Sequence, residues 1–188
     1  VTEMFLVNAK FDNKADGKND GQGWEGKWTD INGPSNNPVM EIYGGWDKAD
    51  PDWDVYQIVK DAPQGVYEIS LNGFFRAGEH PDAYAKYENQ LNGGAEVASH
   101  ASVYVNNNKS PFKNIYSEPV KCGELYSATE IYGPTPWLPV AGDSTGYWYP
   151  NGMYDAGVAF AAGMYKSSAH GVVANQGDEL RIGVVAKG

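Results

Sequence analysis

One cysteine, Cys122, cannot form an internal disulfide, so no disulfide framework holds this chain. His80, His100 and His170 have no zinc-like spacing, either among themselves or with Cys122. Cations are outnumbered, with 14 Lys and Arg against 24 Asp and Glu, and the formal net charge is −10. That balance argues against nucleic acid and anionic membrane as partners, because phosphate binding needs a basic patch. No run of about 20 apolar residues is present to form a transmembrane helix. The chain also lacks a Gly-x-Ser-x-Gly motif, a phosphate-cradling loop and a dinucleotide fingerprint. A glycosidase pair is defined by the separation of two carboxylates in space, and no pair stands out among so many acids. The sequence therefore reads as a non-catalytic protein.

What is abundant points to β-structure. The 188 residues fit one domain, 1–188, long enough for a real core. Gly (23) and Pro (11) break the chain into short apolar alternations, a pattern that favours an antiparallel β-sandwich or barrel. With 13 Tyr and 6 Trp, a modest core leaves some rings for surfaces or pockets, where their amphipathic rims suit binding. The chain begins VTEMFLVN with no visible signal peptide, as expected of a mature domain excised from a larger protein.

Residues 55–78, VYQIVKDAPQGVYEISLNGFFRAG, read as a hairpin near the centre of the sheet. Tyr67, Ile69 and Leu71 share one face, and Glu68, Ser70 and Asn72 the other. Ala62-Pro63-Gln64-Gly65 has the Pro and Gly positions of a type I turn. Residues 55–60 are more apolar, as in a strand covered on both sides. Further strands are expected at 1–11, 24–28, 39–43, 97–106 and 110–120. A last hairpin is expected from 172–174 and 180–185. Tyr84, Tyr87 and Leu91 are spaced for a helical turn or two, and Met153, Gly157, Phe160, Ala161 and Met164 for a helix within 151–163. Tyr67, Ile69, Leu71, Val103, Leu180 and Ile182 are expected in the core.

Residues 12–23, DNKADGKNDGQG, place Asp16, Asp20 and Gly21 at the first, fifth and sixth positions of a calcium loop. Lys18 stands at the third position and Lys27 at the twelfth, so the EF-hand pattern fails. Trp46 and Trp53 lie among acids in a turn-rich stretch, where they serve either as a sugar platform or as lids on the core edge. Residues 126–150 form the longest irregular region and carry Trp137, Trp148 and Tyr149. Arg76, Glu79 and His80 follow the central strand at its loop end. Flat rings that stack on a pyranose, with planar polar groups beside them, are what carbohydrate recognition requires. The candidate carbohydrate-binding set is therefore Trp46, Trp53, Arg76, Glu79, His80, Trp137, Trp148 and Tyr149.

The stretch YQIVKDAPQGVYEISLNGFFRAG resembles the core of secreted β-sandwich modules common in gut Bacteroidetes, which have a galactose-binding-like jelly-roll fold. LVNAKFD (6–12) resembles the family's opening, ASVYVN (101–106) its middle strand, and NGMYDAGVAFAAGMY with GDELRIGV (177–184) its helix and late strand. The resemblance implies a jelly roll with one or two short helices. It also implies a non-catalytic carbohydrate-binding module of an exported or cell-surface protein, with a polysaccharide or glycan as partner. An assembly domain that binds another surface protein, and a hydrolase accessory domain with no ligand of its own, are the alternatives. Related modules can share a structural calcium between an opening acid and a closing Asp. Asp12 matches the opening acid, and no closing partner occurs in this sequence. Such modules commonly add one more strand, so the parent sequence is expected to continue past Gly188, with the strand at 180–185 or its partner otherwise left at an open edge; the alternative is a sheet closed at that edge by the first strand, 4–11.

Overall fold

The computed structural model describes residues 6–11, 21–34, 36–43, 52–79, 81–121, 147–150 and 152–187. In chain order these residues form strands β1 (Glu25–Gly26), β2 (Asp30–Asn32), β3 (Val39–Glu41), β4 (Trp53–Val59), β5 (Gly65–Asn72) and β6 (Phe74–Phe75). Helix α1 (Asp82–Leu91) follows, then β7 (Ala101–Val105), β8 (Asn108–Pro111), β9 (Lys113–Asn114), β10 (Val120–Lys121) and β11 (Tyr147–Trp148). The last elements are α2 (Met153–Ala161), β12 (Lys166–Val173) and β13 (Leu180–Ala186). The fold is all-β and mostly antiparallel, with two short helices. Among the described residues the two-residue β6–β9 pairing is the only parallel one.

Five strands make the main sheet, in the order β1-β4-β13-β7-β8. Strands β5 and β12 pair along their whole length as a second layer. Alternation in β12 is strict, with Ser167, Ala169, Gly171 and Val173 buried while Lys166, His170 and Val172 are exposed. Ile69, Ala169 and Val173 from this layer meet Val103, Val105, Leu180 and Ile182 from the main sheet in one core. Burying such aliphatic side chains is worth about 1.5–3 kcal/mol each. Ile69, Val103, Leu180 and Ile182 are buried as expected from the sequence, while Tyr67 and Leu71 pack half-buried at the core's margin.

The layers touch most closely where β12 crosses β7. A Cβ on Gly171 would overlap the Val105 side chain, so the strand approaches only because that residue has none. The turn between β7 and β8 ties the two layers together. Asn106 Nδ2 donates to the Val172 carbonyl at 3.3 Å, and Asn108 Nδ2 to the His170 carbonyl at 3.0 Å. A turn chosen for its asparagines thus also satisfies backbone acceptors of β12.

Three expectations are corrected. Residues 55–78 are not a hairpin, because β4 lies in the main sheet and β5 in the second layer. The reason lies in the connection. Asp61 takes a left-handed φ of 55°, and Ala62 is 1 % exposed, pinned in the core, so the chain crosses from one layer to the other. The second expected hairpin fails in the same way, since β12 and β13 belong to different layers. Val59 is opposite Leu180 and Gly65 opposite Val173, so the two crossings lie side by side. Strand β13 is not an open edge either, being paired to β4 on one flank and β7 on the other.

The opening segment is also not a strand over 6–11. Asn8 and Phe11 have φ of 51° and 55°, and the segment turns. The buried side chain of Gln57 holds it, accepting from Val7 N–H at 3.0 Å and donating to Val7 carbonyl at 2.6 Å. That pair of bonds imitates a β-bridge, made by a side chain instead of a strand. Helix α1 is longer than the turn or two expected, and α2 falls within 151–163 as read.

Candidate functional site

Because the side-chain period of a strand is two, the register of the main sheet decides which residues share its outer face. Val55 and Gln57 are buried on the inner side of β4, which turns Asp54, Tyr56 and Ile58 outward. The pairing then lines up Glu25, Tyr56, Gly183, Tyr104 and Lys109 as one row across all five strands. In the flanking rows Asp54 lies opposite Val185, and Ile58 opposite Arg181. At the centre of the row, a Cβ on Gly183 would overlap the Val55 carbonyl and stand 3.0 Å from the Tyr104 hydroxyl. Only glycine fits there, with Tyr56 on one side and the Tyr104 hydroxyl on the other.

Around this glycine lies a connected polar group. The Tyr104 hydroxyl donates to Asp54 Oδ1 at 2.6 Å and accepts from Arg181 Nε at 3.0 Å. Arg181 Nη2 donates to Asp54 Oδ2 at 2.8 Å, closing a three-membered ring of hydrogen bonds. The guanidinium also lies 3.5 Å over the centre of the Tyr56 ring, a cation–π contact. Tyr56 in turn donates its hydroxyl to Glu25 Oε2 at 3.0 Å. Burial, and then the hydrogen bond to Asp54, push the Tyr104 phenol well above its ordinary value. The hydrogen bond to Glu25 raises that of Tyr56, and the bond with Tyr104 raises the pKa of the Arg181 guanidinium. At neutral pH both phenols keep their protons and the guanidinium its charge.

Asp54 and Arg181 are reachable from solvent, while Tyr104 between them is 4 % exposed. The side chains of Arg181 and Asp54 are 39 % and 42 % exposed, and a shallow depression of about 320 Å³ opens beside them toward Asn106, Asn107 and Lys109. An ion pair this exposed contributes only about 0–1 kcal/mol to stability. What the arrangement does provide is orientation. Three strands fix a planar cation, a carboxylate and two aromatic rings in one geometry before any ligand arrives.

The residues nominated from sequence fare differently. Trp46, His80, Trp137 and Asp12 lie outside the described residues. Trp148 is in β11, opposite Val120 on β10. Trp53 is not in a loop but is the first residue of β4, half-buried and on the side of that strand away from Asp54 and Tyr56. Tyr149 is 5 % exposed and belongs to a second core with Ala83, Ile115 and Tyr116, so its ring is not a reachable platform. Arg76 follows β6, half-buried, near enough to Glu41 and Tyr116 for its charge to act on both. Glu79 is exposed ahead of α1, where its carbonyl accepts from Ala83 N–H. The structure therefore brings Arg76, Glu79 and Tyr149 to one region, but with Tyr149 turned inward. Glu25, Asp54, Tyr56, Tyr104, Lys109 and Arg181 were missed, because only the strand register assembles them. Among the described residues, no three His, Cys, Asp or Glu side chains come together as a metal site.

No family model, no curated protein and no solved structure matches this chain. Among the described residues, no helix is long and apolar enough to cross a membrane.

Proposed function

We propose that this chain is a non-catalytic carbohydrate-binding module of an exported or cell-surface protein, and that sugar docks on the outer face of the five-stranded sheet. The same proposal includes completion of the two layers in jelly-roll order. The observation that carries it is the Tyr56–Arg181–Asp54–Tyr104 network. A sugar hydroxyl both donates and accepts, and so needs a surface that does both. Asp54 and Glu25 have carboxylate lone pairs beyond those used by Tyr104, Arg181 and Tyr56. Arg181 has five N–H donors, of which two are engaged here, and Lys109 adds donors at the rim. Tyr56, half-buried, supplies the flat apolar element, while Tyr104, 4 % exposed, holds Asp54 and Arg181 in place.

A glycan array tests the reading. The expected result is binding to a restricted set of glycans, reduced about tenfold or more in Tyr56→Ala and Arg181→Ala, since hot-spot truncations of this kind cost about 2 kcal/mol or more. Retention of binding by both variants would move the site elsewhere.

A second reading, an assembly domain that binds protein, is favoured by one observation on the opposite layer. Val66 and Val172 stand directly opposite each other on the outer side of β5 and β12, 75 % and 58 % exposed. A pull-down from a surface-protein extract, lost in Val66→Lys while glycan binding persists, would favour that reading over the first.

A further inference from the structure

Resting on the carbohydrate reading, we infer that the outer face of the five-stranded sheet selects neutral, hydroxyl-rich glycans and rejects those carrying uronic acid or sulfate. The cation that an acidic sugar would seek is already engaged. Arg181 bonds to Asp54 at 2.8 Å and to Tyr104 at 3.0 Å, and its π-face is laid on Tyr56. A carboxylate or sulfate arriving there would have to displace Asp54 or approach it side by side. Glu25, held at the Tyr56 hydroxyl, is a second anion on the same face. Against these two stand Arg181, already paired, and Lys109 at the rim.

Hydrogen-bond capacity leads to the same result independently of net charge. Carboxylate and sulfate oxygens only accept, so they cannot use the spare lone pairs of Asp54 and Glu25. A hydroxyl can donate to Asp54 and accept from Arg181 in one placement. A neighbouring pair of hydroxyls can do so twice. The network thus discriminates by setting the lone pairs of Asp54 and Glu25 against an anion instead of a donor, which is a repulsive element as well as a missing attraction. The chain's formal charge of −10 adds a long-range repulsion of the same sign, which salt screens.

The test is an array on which each neutral oligosaccharide is printed beside its uronic-acid and sulfated analogues, read at low and at about 0.5 M salt. The wild-type chain is expected to bind neutral members at least about tenfold more strongly than their acidic analogues, since like charges brought together in a contact cost several kcal/mol. The preference should persist at high salt. Asp54→Asn keeps the shape and releases Arg181, so it is expected to narrow the preference severalfold; circular dichroism and thermal melting check that it folds. An acidic analogue bound as strongly as its neutral parent, in a manner lost with Arg181→Ala, would overturn the inference alone. A preference that vanishes at high salt and ignores Asp54→Asn would overturn it too, leaving general repulsion as the cause. The absence of any glycan signal would overturn the carbohydrate reading, and this inference with it.

Discussion

Tyrosines are used in two ways in this molecule. Around α1, the rings of Tyr116 and Tyr149 meet edge to face, 5.0 Å apart at 87°, with Tyr84 and Tyr87 packed against Tyr116 from the helix. On the outer face of the main sheet, Tyr56 and Tyr104 are braced by charges instead, each hydroxyl donating to a carboxylate and both residues touching Arg181. The first group is a core whose parts happen to be aromatic. The second is a rigid polar surface in which the rings hold a guanidinium flat. Ring count alone does not separate the two; what the rings touch does.

The largest expected effect tests the first half of that contrast. Tyr149→Ala removes a nearly buried ring from the second core and should cost about 3–5 kcal/mol of stability, the range for large aromatic truncations. Urea denaturation measures it. Tyr56→Ala should by comparison cost under about 1.5 kcal/mol while removing ligand binding. If the two variants lose similar stability, Tyr56 is as structural as Tyr149 and the contrast fails.

Gly183→Ala comes next. Its Cβ would overlap the Val55 carbonyl, which is backbone and cannot swing aside, so β4 and β13 must part or Tyr104 must shift. A cost of about 1–3 kcal/mol is expected, as for overpacking. Glycan affinity should fall more steeply in this variant than in a core variant of equal stability loss. A loss of affinity that merely tracks stability would count against a preorganised face.

Glu118 tests the packed region by pH. Burial pushes its carboxyl up, but hydrogen bonds from Lys113 and from Tyr165 N–H outweigh that and hold it below its ordinary 4.5. A carboxyl with a depressed folded-state pKa contributes stability above about pH 4.5 and loses it as pH falls through the depressed value. Glu118→Gln should therefore cost about 1 kcal/mol at neutral pH and shrink the acid-side loss of stability. Denaturation midpoints between pH 2 and 7 read this directly. Parallel curves for the two proteins would show that the carboxylate is not what couples Tyr165 to the turn at Ile115–Ser117.

How much of this was legible depends on range along the chain. The alternation of Tyr67, Ile69 and Leu71 and the stripe within 151–163 are local, and both elements are where the sequence puts them. The Pro63 and Gly65 signal was read as the type I turn of a hairpin, and the two strands it separates do not pair. What it joins was not legible, because that depends on Ala62 finding the core and Asp61 accepting a left-handed conformation. The outer face was least legible of all. Its row draws one residue from each of five strands, and its centre is a glycine whose role is to be absent as a side chain. Tyr149 shows the converse: a residue in an aromatic-rich stretch that composition marks for a surface and packing takes into a core.

The smallest effect concerns charge. On the outer face Glu25 and Asp54 each have their own hydrogen-bond donor, whereas on the β2–β3 ribbon Asp30 stands directly opposite Glu41. Like charges in that position destabilise an antiparallel pair. Burial, and then Asp30, raise the Glu41 carboxyl above its ordinary 4.5, with Arg76 pulling the other way. The sign is opposite to that of Glu118. A carboxyl with a raised folded-state pKa is tolerated best when protonated, so its contribution worsens as pH rises from about 4.5 through the raised value. Glu41→Gln should consequently stabilise the protein at pH 7 by about 0.2–1 kcal/mol, a rise of about 0.4–4 °C in Tm for a chain of this size. The gain should disappear below pH 4. Melting curves at pH 3.5 and 7 decide the matter, and a variant less stable than the parent at pH 7 would mean that Arg76 already compensates the pair. In that case the charges on the β2–β3 ribbon are as well matched as those on the outer sheet face, and the difference between that face and the tyrosine cluster around α1 lies in ring packing alone.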